Sequence, residues 1–195
     1  MKTVIIKYNA GNIQSVLYAL ERIGVNAIVT ADHEEIMSAD KVIFPGVGEA
    51  NSAMNSLKEN NLDQIIKILK QPVLGICVGM QLLCKYSEEN ATACLGVFDE
   101  PVKKFESDNF KIPQIGWNTL YDLKSPLMQG IPENSYCYFV HSYYVPMNEC
   151  AIATTDYVQP YASAIHKNNF YGVQFHAEKS AQVGEMILKN FIELG

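Results

Sequence analysis

Clusters of basic residues are missing from this 195-residue chain: 15 Lys and Arg face 21 Asp and Glu, the net charge is −6, and the cations are scattered. Binding to a nucleic-acid backbone needs positive charge to displace counterions, so a DNA- or RNA-binding role is not expected. Long apolar runs are missing too: none approaches the roughly 18 residues of a membrane span. The start, Met1-Lys2-Thr3-Val4-Ile5-Ile6-Lys7, meets a lysine too early for the apolar core of a signal peptide. The five cysteines (Cys77, Cys84, Cys94, Cys137, Cys150) are odd in number and form no C-x-x-C pair. Free thiols in a soluble, cytoplasmic protein are therefore expected. Repeats, low-complexity stretches and linkers are absent as well. What remains is a chain that is 48% hydrophobic, enough for one core and one domain over 1–195 without staples.

Two rhythms divide that domain. Up to about residue 86, short β-branched runs alternate with helical periodicity. Strands are expected at Thr3–Tyr8, Ala27–Thr30, Lys41–Phe44 and Pro72–Ile76. Between them, Ile13, Val16, Leu17, Leu20 and Ile23 mark a helix stopping at Gly24, Glu34–Ser38 a short helix, and Met54 to Leu69 a further helical region. Apolar strands alternating with helices point to a parallel sheet covered on both faces. From about 95 to 175 the pattern is strand-rich: Leu95–Phe98, Val102–Phe105, Thr119–Leu123, Tyr136–Val145, Ala151–Thr155, and a hairpin over Ala162–Phe175 turning at Lys167-Asn168-Asn169. Ser180 is the expected N-cap of a last helix whose apolar face is Val183, Met186, Ile187, Phe191 and Leu194. The fold class is thus α/β, a mixed and mostly parallel central sheet flanked by helices with a strand-rich C-terminal half.

The sharpest local feature is Gly75-Ile76-Cys77-Val78-Gly79, where an expected strand runs into an expected helix. A residue at such a junction is pushed out of the sheet on a strained turn, and small residues two before and two after avoid clashes. Cys77 there lies at a helix N-terminus that favours thiolate, and the Val78 amide is free to donate to an oxyanion. The plain alternative is a buried small hydrophobe. A cysteine nucleophile needs a base and an orienting acid. In Gln174-Phe175-His176-Ala177-Glu178, extended backbone would point His176 and Glu178 to the same side. The alternatives are a surface ion pair or a fragment of a zinc site, although no second ligand lies at metal spacing. His33 and His166 read as surface residues, and His141 as a core or edge histidine. Pro45-Gly46-Val47-Gly48 closes the third strand without bulky side chains, and its amides can supply a second oxyanion donor.

Taken together, these segments resemble a class I (triad-type) glutamine amidotransferase. Within that class they are similar to the glutaminase subunits of imidazole glycerol phosphate synthases. The likeness runs through Asn9-Ala10-Gly11-Asn12, Phe44 to Gly48, Gly75 to Gln81, Gly116-Trp117-Asn118, His141 to Tyr144 and Gly172 to Ser180. It implies a flavodoxin-like fold and hydrolysis of L-glutamine by Cys77, His176 and Glu178, with no cofactor and no metal. It further implies an oxyanion hole from the Val78 amide and one of the Val47–Gly48 strand, and glutamine held by Gln81, Glu89 and the backbone around Ser142 and Tyr143. The implied partner is a (β/α)₈-barrel cyclase in a heterodimer, met by Trp117 and Asn118, which receives the ammonia to make imidazole glycerol phosphate in histidine biosynthesis. A glutaminase feeding another synthase, such as a nucleotide-sugar amidotransferase, is the alternative. Three positions depart from the family pattern: Ala177 where proline is usual, Gln114 where histidine is common, and Lys7 where an acid is frequent.

Overall fold

The computed structural model describes residues 1–9 and 12–194; the Ala10-Gly11 part of the Asn9–Asn12 turn lies outside them. Four apolar strands begin the fold: β1 (Thr3–Ile6), β2 (Ala27–Thr30), β3 (Lys41–Gly46) and β4 (Val73–Cys77). The helices between and after them are α1 (Ile13–Arg22), α2 (His33–Met37), α3 (Ala50–Glu59), α4 (Leu62–Ile68) and α5 (Val78–Leu83). The strand-rich half follows: β5 (Tyr86–Ser87), β6 (Thr92–Ala93), β7 (Pro101–Lys104), β8 (Gln114–Leu120), β9 (Ser135–His141) and β10 (Tyr143–Pro146). Then come β11 (Ala151–Tyr157), β12 (Gln159–Lys167), β13 (Phe170–Val173) and α6 (Ala181–Glu193).

Among the described residues the main sheet runs β2-β1-β3-β4-β13-β12-β10-β7-β5-β6, with β11 on β12. Its first five strands are parallel. Val4, Ile5, Val42, Ile43, Val73 and Leu74 are wholly buried, as expected of strands covered by helices on both faces. No helix among the described residues is long and apolar enough to cross a membrane.

Several boundaries differ from the sequence expectation, each for a physical reason. The Met54–Leu69 region is two helices, because Asn61 adopts a left-handed conformation (φ 53°) that no α-helix continues through. Leu95–Phe98 is not a strand; Leu95 and Phe98 are buried, but the chain turns at Gly96 (φ 73°). The short strands β5 and β6 have no counterpart in the sequence expectation. The predicted Thr119–Leu123 strand instead begins at Gln114 and ends at Leu120. Tyr136–Val145 is split at Ser142: β9 pairs with β8 in a separate two-stranded ribbon, whereas β10 joins the main sheet. The 162–175 hairpin forms as β12 and β13, with Asn168 (φ 56°) in its turn. Ser180 stands at the N-cap of α6 without capping it; its Oγ donates to the His176 carbonyl (2.7 Å) and accepts from the Tyr138 N–H (3.0 Å).

Candidate active site

β4 delivers Cys77 with φ 54° and ψ −112°, a conformation that costs an L-residue on the order of 1–3 kcal/mol and persists only where its surroundings impose it. Those surroundings are glycines. A Cβ on Gly79 would lie 2.0 Å from the Phe44 carbonyl oxygen, and one on Gly46 would lie 2.4 Å from the Gly79 nitrogen. A Cβ on Gly75 would sit 2.8 Å from the Met80 nitrogen. The absence of side chains lets α5 start directly on top of β3 and β4, and this contact turns the backbone at Cys77.

A pocket of about 340 Å³ opens in front of the sulfur, lined among others by Val47, Gly48, Cys77, Val78, Gln81 and Glu89 from the N-terminal half. Its other wall carries Val140, His141, Ser142, Tyr143, His176 and Lys179. The sulfur and the His176 ring line the same pocket, and His176 Nδ1 is 2.8 Å from Glu178 Oε1. The alignment behind that contact differs from the extended backbone expected: Ala177–Lys179 is a tight 3-10 turn, and the turn brings Glu178 back under the ring. His176 and Glu178 are both buried. Burial by itself pushes the imidazolium pKa down. Hydrogen bonds to Cys77 and Glu178, and the negative charge of both, outweigh it and raise the pKa to about 10.

The other expected residues divide clearly. Val78 is the first residue of α5, so its N–H has no acceptor inside the helix, and Gly48 holds φ 91° at the pocket rim. Gln81 is almost fully buried, with Nε2 donating to the Tyr143 carbonyl (3.0 Å) and to Gln174 Oε1 (2.9 Å). Its Oε1 has no hydrogen-bond partner among the described residues. Glu89 Oε2 accepts from the Ala50 N–H (2.7 Å); burial, offset in part by that N–H, raises its pKa. Trp117 and Asn118 lie outside the pocket on β8 and point to opposite faces. Trp117 is half exposed and packs edge-on against Tyr138, whereas Asn118 Nδ2 donates to the Asp156 carbonyl (2.9 Å) and ties the ribbon to β11.

Residues that sequence reasoning left unassigned also gather here. His141 is a buried histidine, as read, but it lines the pocket; burial lowers its pKa to about 4, and the His176 charge adds to that shift against the raising effect of the Tyr143 carbonyl. Its Nδ1 donates to that carbonyl (2.7 Å), and its Nε2 faces the Tyr161 hydroxyl (3.2 Å). The Tyr161 hydroxyl also lies 3.1 Å from the Gln114 side-chain amide, so Gln114 is buried among these groups. Lys7 is exposed. His33 and His166 lie away from the pocket, bonded to the Asn60 and Asn168 carbonyls.

Known proteins resemble this chain in sequence and in fold. The family model described as glutamine amidotransferase class-I matches residues 4–194. The chain is 57% identical to the imidazole glycerol phosphate synthase subunit HisH of Bacteroides fragilis, over the whole of both chains. It is 54% identical to the protein of the same description from Bacteroides thetaiotaomicron, again over the full length of both. Among solved structures, that of a glutamine amidotransferase superimposes with a TM-score of 0.77 at 16% identity, covering 99% of this chain and 98% of that one. PurLQS from Thermotoga maritima gives 0.74 at 14% identity, covering 98% and 97%. At these identities the two structures speak for the fold alone.

Proposed function

The chain belongs to the class-I glutamine amidotransferase family, and from that premise we propose that it is the glutaminase subunit of an imidazole glycerol phosphate synthase, releasing ammonia from glutamine at the Cys77 pocket. The observation that carries this reading is the strained Cys77 sharing one pocket with a His176 that is itself held by Glu178. We read residues 1–195 as one glutamine amidotransferase domain.

In this mechanism the thiol proton moves to His176, whose imidazolium is favoured by Glu178, and the Cys77 sulfur attacks the side-chain amide carbon of glutamine. The carbonyl oxygen becomes an oxyanion facing the Val78 amide and an amide of the Val47–Gly48 strand. His176 then protonates the leaving nitrogen as the C–N bond breaks, giving ammonia and a thioester on Cys77. Water, deprotonated by His176, attacks that thioester. A second oxyanion collapses, and glutamate leaves as the sulfur recovers its proton. Gln81 presents its free Oε1 as an acceptor to the bound substrate, Glu89 faces the substrate ammonium, and the Ser142–Tyr143 backbone forms the far wall.

The ammonia acceptor is bound by a partner, and the β8–β9 ribbon offers the surface for it. Ile115, Trp117 and Tyr136 are each more than half exposed, and register places Ile115 and Trp117 opposite Val140 and Tyr138, with Tyr136 opposite Thr119, on one face. An exposed apolar face of this kind fits a protein interface, and we assign it to the barrel cyclase. Asn118 braces the ribbon from behind.

The test is direct. Cys77→Ser is expected to abolish glutamate release from glutamine while leaving the circular dichroism spectrum and melting temperature close to those of the unaltered chain. Undiminished hydrolysis by the variant removes Cys77 from the reaction. Imidazole glycerol phosphate formed from glutamine on adding a barrel cyclase supports the assignment within the family; ammonia transfer only to a different synthase contradicts it.

A further inference from the structure

A backbone carbonyl can only accept hydrogen bonds, and one such carbonyl orders a chain of buried polar groups that ends on the nucleophile. The Tyr143 oxygen takes one N–H from His141 Nδ1 (2.7 Å) and another from Gln81 Nε2 (3.0 Å). The Gln81 amide therefore cannot turn over, because its own oxygen would then meet that of Tyr143. The second hydrogen on Gln81 Nε2 goes to Gln174 Oε1 (2.9 Å). This fixes Gln174 in turn: turned over, it would set its NH₂ against the NH₂ of Gln81. In the orientation that remains, Gln174 Nε2 faces Cys77 Sγ at 3.7 Å. Gln174 is fully buried, Gln81 nearly so, and the backbone N–H of Gln174 is anchored on the Ser163 carbonyl (2.8 Å). Water does not compete for these bonds, which makes their directions firm.

The sulfur has a second neighbour that works the other way. As a thiol, Cys77 donates to the Val140 carbonyl at 3.8 Å. Once the sulfur is a thiolate, that carbonyl only repels it. Around the sulfur the titratable groups are His176, with Glu178 behind it, and the buried hydroxyls of Tyr8 and Tyr161; Glu89, His141, Tyr143 and Lys179 line the same pocket. His176 must release its N–H to the departing nitrogen during the reaction. The Gln174 N–H carries no transferable charge and stays in place throughout.

We propose that Gln174 is a positioning residue for the nucleophile: its amide N–H, oriented by Gln81 and the Tyr143 carbonyl, holds the Cys77 sulfur as a thiolate directed into the pocket. The proposal rests on the reading of Cys77 as nucleophile. It also gives Gln81 a second role, setting the polarity of a group that it touches and the sulfur that it does not.

The rate at which iodoacetamide alkylates Cys77 in the full chain, measured against pH without glutamine and read on the Cys77 peptide by mass spectrometry, tests the idea. Gln174→Met removes the donor and keeps the volume. Its alkylation at pH 7 is expected to fall about tenfold, with the pH midpoint rising by about one unit, as loss of a hydrogen bond to a charged sulfur requires. Glutaminase kcat falls with it, while KM for glutamine changes little. Gln81→Glu is expected to shift the alkylation profile in the same direction, because a carboxylate at 81 draws the Gln174 NH₂ toward itself and leaves an oxygen facing the sulfur. A merely structural role would lower the melting temperature without moving the alkylation midpoint. An unshifted midpoint in either variant that folds overturns the proposal. Glutamine hydrolysis surviving in Cys77→Ser would instead overturn the nucleophile reading beneath it, so the two failures are told apart.

Discussion

At the residue scale, the behaviour of the site turns on one imidazole between two negative partners. His176 carries a pKa of about 10 in the folded chain against 6.5 when free. Between those values the native state keeps a proton that the unfolded chain has released. The resulting stabilisation is complete below pH 6.5 and disappears as pH rises through 10. Glu178→Gln removes one of the two negative neighbours and so part of this effect. In urea titrations the advantage of the unaltered chain over this variant should be greatest near pH 6 and shrink toward pH 10; an advantage that grows with pH contradicts the assignment. Turnover should fall on the order of 10³-fold or more, since a neutral amide no longer secures the ring's tautomer. The residues of the proposed triad stand out in the sequence because each sits in a short motif, Cys77 in one and His176 and Glu178 in another. Gln174 does not, although it stands inside one of those motifs. Its role comes from Gln81, 93 residues away in the sequence, and from Tyr143 on β10, two strands along the sheet from β13.

At the element scale, the β4–α5 junction decides where the sulfur goes. The G-x-C-x-G spacing announced this turn, and the contacts of Gly46, Gly75 and Gly79 explain it. Because φ at Cys77 is +54°, the usual order of alanine over glycine should invert there. Cys77→Gly is expected to be more stable than Cys77→Ala by about 1 kcal/mol in urea unfolding, with both inactive. Equal stabilities would mean that the junction relaxes once the sulfur is gone. Other elements were harder to read. Nothing in Tyr136–Val145 interrupts a strand pattern, since Ser142 is neither glycine nor proline. The break arises because the chain leaves one sheet for another, a tertiary event without a local signal. The helical region expected over Met54–Leu69 divides into two helices at a local signal: Asn60-Asn61, where Asn tolerates the left-handed turn found at Asn61.

At the scale of the whole molecule, a mostly parallel sheet carries the nucleophile, and a separate ribbon carries the exposed apolar face. Trp117→Ala should weaken association with the cyclase at least tenfold, as loss of a central aromatic anchor does, measured by titration calorimetry. The stability of the isolated chain should move by less than about 0.5 kcal/mol, because the indole is half exposed. Unchanged affinity would place the partner elsewhere. The layout of the main sheet followed from the apolar strands of the first half, whereas the ribbon's independence did not, because β8 and β9 read like any other strands.

The ribbon does not end at its own edge. Tyr138, on its outer face, accepts the backbone N–H of His176 (2.9 Å) through its carbonyl, and Val140, two residues on, receives the Cys77 thiol. One strand thus lies with its back to solvent and its polypeptide spine against both the sulfur and the backbone of His176. A protein pressing on that outer surface would shift the two reacting groups together without entering the cleft, so that occupancy outside and readiness inside become a single mechanical variable.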